Sequence, residues 1–168
     1  KDVLLVTYNM TLWHYLRDLI VRARKGTEKP GRLTFKHFHA WCGEVCWEAG
    51  YEGEYVRIIK PVTDIRNKNL PPREEAKLLR PILPPILNEK IPSLALRAAR
   101  SPDVERYDAV LVDEGQDYLP LWWNALRGVL HEGGEMILVA DTSQDLYGTA
   151  RSWTEEAMTG AGFTGAWA

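Results

Sequence analysis

The chain has 168 residues and a mass of 19.2 kDa, room for one ordinary domain with a hydrophobic core of its own. Apolar residues make up 45% and charged residues 26%, the balance of a globular protein, which excludes a disordered, collagenous or coiled-coil chain. Against 23 acidic side chains stand 21 basic ones, a formal charge of −2, so bulk positive charge cannot carry nucleic-acid binding and any such contact must be local.

Residues 3–7 (VLLVT) form a short apolar, β-branched run, the pattern of a strand buried on both faces in a parallel sheet. Asn9 or Thr11 is suited to cap a following helix with Leu12, Leu16, Leu19 and Ile20 at helical spacing, and the loop 25–31 ends it. Residues 33–35 predict a brief strand. From Phe38 onward Trp41, Cys42, Val45 and Cys46 fall on one helical face. Residues 54–60 (EYVRIIK) alternate as a short strand or extended segment would. Between 61 and 102, Pro71, Pro72, Pro81, Pro84, Pro85 and Pro92 predict short helices and turns, one over 73–80. That stretch reads as a peripheral insertion, too short to bury a core of its own. Residues 108–112 (DAVLV) predict a second buried strand, 119–130 a helix rich in Leu and Trp, and 136–140 (MILVA) a third buried strand. Strand, helix and strand, with acids at the strand ends, imply an open parallel α/β sheet whose ligand lies beyond the carboxyl ends of the strands.

Chemistry concentrates at those ends. An apolar strand that delivers Asp113-Glu114, followed by Gly115-Gln116-Asp117, is the Walker B arrangement. Its first carboxylate can hold a magnesium ion through water, and its second can orient and deprotonate a water attacking a γ-phosphate. The next strand runs into Asp141-Thr142-Ser143-Gln144-Asp145-Leu146-Tyr147, a polar loop facing the same crevice. Gln144 can donate its amide to a phosphate oxygen and sense the γ-phosphate, and Tyr147 can offer a face for base stacking. Gln116 and Asp141, on the same two loops, are further candidates to contact the nucleotide.

DEGQD followed by VADTSQDLYG resembles motifs II and III of superfamily 1 helicases of the UvrD/Rep type, whose members read DEAQD and GDxxQSIY. Leu4-Leu5-Val6-Thr7-Tyr8-Asn9 is similar to motif Ia, and His37-Phe38-His39-Ala40-Trp41-Cys42 resembles the TFHSWC form of motif Ib. All four stand in the family's order. The resemblance implies an α/β, P-loop NTPase (RecA-like) parallel sheet flanked by helices, and an ATP-dependent motor that moves along single-stranded DNA. It implies that Asp113 binds Mg2+, that Glu114 is the catalytic base and that Gln144 senses the γ-phosphate of ATP. Thr7, Tyr8, Asn9, Phe38 and His39 would line the single-strand track, with Tyr147 coupling the track to the nucleotide. On this resemblance, 1–60 and 103–168 are two parts of the first motor domain, the latter reaching the link to the second, and 61–102 is the insertion between them.

The family's phosphate loop should precede motif Ia, and no such loop occurs in the sequence. Residues 26–33 (GTEKPGRL) mimic its glycine spacing, but Arg32 and Leu33 stand where Lys and Ser/Thr are required. Motifs IV to VI are missing as well, and Ala140 replaces the usual Gly of motif III. The chain is therefore expected to be an incomplete motor domain, inactive alone. Two rival readings are a catalytically silent helicase-like module that binds nucleic acid or protein, and an ATPase switch that gates a linked nuclease.

Other signals carry a plainer reading. His37, His39, Cys42 and Cys46 suggest zinc, but the cysteines continue an apolar helical face and the spacing matches no common zinc module. Two cysteines are too few for a disulfide framework and point to a reducing, cytoplasmic setting. No apolar run is long enough for a membrane span or a signal-peptide core. Of Trp122 and Trp123, one is expected in the core and the other half-exposed. The basic residues Arg22, Arg24, Lys25, Lys29 and Arg32 read as a solvated helix end and loop.

Overall fold

A computed structural model describes residues 1–7 and 31–139, together with Asp18 and Arg22. The expected helix around Leu12–Ile20 lies outside these residues, apart from Asp18 and Arg22, which are helical and joined by an i,i+4 ion pair of 2.6 Å. Two compact units are formed, one by Lys1–Phe38 with Arg106–Ala168, the other by His39–Glu105.

The first unit is built on a four-stranded, all-parallel sheet, with strands β1 (Val3–Thr7), β2 (Leu33–His37), β3 (Tyr107–Asp113) and β4 (Leu130–Leu138) in the order β2-β1-β3-β4. The two central strands are the apolar runs that the sequence marks as doubly buried: Leu4, Val6 and Val110 are fully buried, and Leu5 and Val112 nearly so. Strand β4 differs from its expectation. It begins six residues before Met136, it lies at one end of the described sheet, and its residues alternate between half-buried and exposed, with Ile137 47% accessible. An apolar run alone does not say how many neighbours a strand has, which is why 136–140 read as buried. The early start is irregular: pairing jumps from Tyr107↔Leu130 to Ala109↔Glu135, and Gly133, at φ +75°, supplies the left-handed turn between them.

Between β3 and β4 runs the helix Pro120–Arg127, with proline in its first turn, where the missing N–H costs nothing. Both Trp122 and Trp123 are buried in it, against the expectation that one would be half-exposed. Trp122 stacks on Phe38 at 4.5 Å, and Tyr118 sits edge-on to Phe38 and Trp122, at 5.4 Å from each. The other indole, Trp123, reaches Gly115 beside Leu138.

The second unit is helical. It comprises most of α1 (Phe38–Glu48), then α2 (Glu52–Arg66), α3 (Pro72–Leu79), a helical turn over Leu83–Pro85, a π-helical turn over Ile86–Lys90, and α4 (Ile91–Ala98). The apolar face predicted for α1 is the buried one: Trp41, Cys42, Val45 and Cys46 are all within the core. Residues 54–60 are helix, not strand. Tyr55, Ile58, Ile59, Val62 and Ile65 recur at helical spacing over a longer window, and they are the half-buried or buried residues of α2. Pro61, where the sequence reading began an insertion, lies inside this helix. No helix among the described residues is long and apolar enough to cross a membrane.

An interior proline removes one backbone hydrogen bond and crowds the preceding turn, a cost of about 3 kcal/mol in a regular helix. Because Pro61 is exposed inside the helix, Pro61→Ala is expected to stabilise the protein by about 1–3 kcal/mol. Urea denaturation measures the gain. An unchanged midpoint would mean that the helix does not continue through residue 61.

Candidate functional site

In chain order β1 is followed by β2 on one side and β3 by β4 on the other, so the strand order reverses between β1 and β3. In an open parallel sheet that reversal parts the connections at the carboxyl ends of the two strands and leaves a crevice there. The side chains at this edge are Thr7, in register with both His37 of β2 and Asp113 of β3. Neighbours in register project to the same face of a sheet, so His37, Thr7 and Asp113 form one row.

Immediately beyond Asp113 the chain turns sharply. Glu114 has φ +56° and ψ +42°, a left-handed conformation that is uncommon for a residue with a long side chain. Three contacts hold it. The Gly115 amide donates to the Val139 carbonyl at 2.9 Å, the Asp117 amide closes a 3-10 turn on the Glu114 carbonyl at 3.0 Å, and the Val139 amide donates to the Val112 carbonyl at 2.9 Å. A Cβ on residue 115 would lie 1.8 Å from Leu138 Cδ1 and 3.1 Å from Trp123 Cη2, so glycine is what lets these side chains close over the turn. Strain held at a carboxylate by its surroundings is a feature of functional sites.

Asp113 is half-buried, and its carboxyl is held above the usual range. Burial is the larger cause and the neighbouring Glu114 charge the second, with the Glu114 amide opposing both as a donor. Asp113 is one oxygen donor at this edge, and a cation beside it would favour its charged form. The raised value also has a stability consequence. Through the window just above the ordinary Asp range, the folded chain keeps a proton that the unfolded chain has lost, so this group lowers stability as pH rises. Asp113→Asn is therefore expected to match the wild type at acid pH, where both states carry the proton. At neutral pH it should be more stable, because the folded-state penalty on the charged carboxyl is gone. Urea midpoints at the two pH values measure this, and a variant less stable at neutral pH would refute it.

The sequence-predicted residues divide as follows. Thr7, Asp113 and Glu114 come together at the sheet edge, and Val139, the residue before Ala140-Asp141, is bonded to Gly115 beside them. The backbone of Gln116 lies in the 3-10 turn. Tyr8, Asn9, Asp141, Gln144 and Tyr147 lie outside the described residues. Of the residues expected along the single-strand track, Phe38 and Thr7 are both fully buried, and the Phe38 ring packs on Trp122 and Tyr118. His39 belongs to the helical unit, where its Nε2 stands 3.0 Å from the Leu87 carbonyl of the π-helical turn. His37, which the sequence marks only within the motif Ib resemblance and the zinc-like cluster, is the last residue of LTFKH, and a strand two residues longer than predicted puts it level with Thr7.

The cysteines pack as apolar groups. Burial pushes both thiols up, Cys46 to about 11; the neighbouring Cys46 adds to the rise at Cys42 and the Glu54 carboxylate to that at Cys46, with Arg97 opposing, so both are protonated at neutral pH. Among the described residues no group of three His, Cys, Asp or Glu side chains is arranged to hold a metal ion. Compared with known proteins, the chain matches no family model and no curated protein.

Proposed function

We propose that this chain carries the catalytic acid pair of an ATP-dependent motor of the superfamily 1 helicase type, coupling Mg-ATP hydrolysis to movement on single-stranded DNA. The observation that supports the reading is the pairing of Asp113 and Glu114 at the carboxyl edge of an all-parallel sheet, at the reversal of strand order, with Glu114 held left-handed. Asp113 would hold a magnesium ion, which when bound would supply charge neutralisation for the triphosphate and its leaving group. Glu114, turned out of the strand by its backbone, accepts the proton of the attacking water. Catalysis of this kind rests on positioning and on charge, with no covalent intermediate on the protein. Gln144, as γ-phosphate sensor, and Tyr147, as coupling residue, complete the proposal.

The test is ATP hydrolysis by the full-length protein with and without a single-stranded oligonucleotide. Turnover stimulated by the strand, together with strand displacement, supports a motor. Absence of turnover overturns it in favour of a binding module, and turnover without displacement overturns it in favour of an ATPase switch.

A further inference from the structure

The helical unit carries an exposed aromatic face with an acidic rim. On α1, Glu44, Trp47 and Glu48 stand at i, i+3 and i+4, one side of the helix. On α2, Glu52, Tyr55 and Val56 repeat the same spacing. The two sides meet through Trp47 and Tyr55, whose rings touch edge-to-face at 5.2 Å, and Tyr55 can lie this close to α1 because residue 43 is glycine. Although large apolar side chains usually avoid water, Trp47 is 51% exposed and Val56 50%. Glu44, Glu48 and Glu52 are exposed around them, and the Glu105 amide donates to Glu48 at 3.2 Å.

The same unit shows what such chemistry holds. Arg97 lies over the Tyr51 ring at 5.2 Å and pairs with Glu54 at 2.5 Å, a cation seated between an aromatic face and a carboxylate. Trp47 offers a larger exposed ring, with Glu44, Glu48 and Glu52 exposed on the same two helices. Three carboxylates repel a phosphate backbone, which disfavours DNA or RNA as the occupant. They equally repel a second copy of this acidic face across a two-fold axis. Charge complementarity leaves a basic polypeptide.

We propose that the Trp47–Tyr55 face is a docking seat for a lysine- or arginine-bearing segment of a protein partner, with one cation over the Trp47 ring and its neighbours against Glu44, Glu48 and Glu52. This seat and the nucleotide site stand on separate observations, so either can fail without the other.

A fluorescein-labelled peptide of alternating arginine and glycine, titrated with the full-length protein and followed by anisotropy, tests the proposal. The expected result is salt-sensitive binding that weakens about tenfold in Trp47→Ala and is partly kept in Trp47→Phe. Glu48→Gln combined with Glu52→Gln should weaken binding too and flatten its salt dependence. Glu74→Gln with Glu75→Gln, an equal charge change on α3, should leave it unaltered. Because Trp47 is half in solvent, these variants should melt as the wild type does. Absence of peptide binding, an unchanged affinity in Trp47→Ala, or equal weakening by the α3 variant would overturn the proposal. So would a labelled single-stranded oligonucleotide that binds in a Trp47-dependent way.

Discussion

Glu114→Gln is expected to lower ATP turnover of the full-length protein by about 10²–10⁴-fold while leaving nucleotide binding intact. The substitution keeps the length and the shape of the side chain and removes its negative charge and its ability to take a proton. It should also leave the left-handed turn as it is, because the amide of Gly115 on Val139 and the turn closed by Asp117 constrain the backbone and not the side chain. With the Glu114 charge gone, the Asp113 carboxyl loses one of the two causes that raise it, and the variant should be slightly more stable at neutral pH than the wild type. Steady-state hydrolysis beside equilibrium binding of a fluorescent ATP analogue separates the two effects. Unchanged turnover would remove Glu114 from the chemistry, and the nucleotide reading with it.

Phe38→Ala is expected to cost about 3–5 kcal/mol of stability, the range for deleting a buried ring that its surroundings cannot fill. Phe38 is fully buried, stacks on Trp122 with ring planes 18° apart, and meets Tyr118 at 67°. Such pairs contribute about 0.5–1.5 kcal/mol beyond the area they bury, so a double-mutant cycle with Trp122→Leu should show coupling of that size. The prediction separates two roles for one residue. A base-stacking Phe38 would lose affinity for single strands and leave the denaturation midpoint where it was; the packed ring requires the reverse. Urea denaturation of the single and double variants decides between them.

How far the residues announce this architecture depends on what each pattern reports. Apolar β-branched runs at 3–7 and 108–112 declare strands enclosed by neighbours, and both are central strands. The run at 136–140 has the same composition, yet β4 lies at the end of the described sheet, since composition records hydrophobicity and not the number of hydrogen-bonded partners. Residues 54–60 alternate over a window too short to separate a period of 2 from a period of 3.6, and the longer spacing from Tyr55 to Ile65 is helical. The run of prolines put the start of an insertion at Pro61, which lies in the middle of a helix.

From the sequence alone came the α/β class, the parallel strands and the pairing of Asp113 with Glu114 at a strand end, because local periodicity and short-range order encode these. Tertiary structure alone decided that Thr7 and His37 stand level with Asp113, that Glu114 is turned left-handed, and that Phe38 is core. Those facts depend on strand register and on which side chains meet across the fold. Both are set by contacts between residues far apart in the chain, which no local pattern of residues can carry.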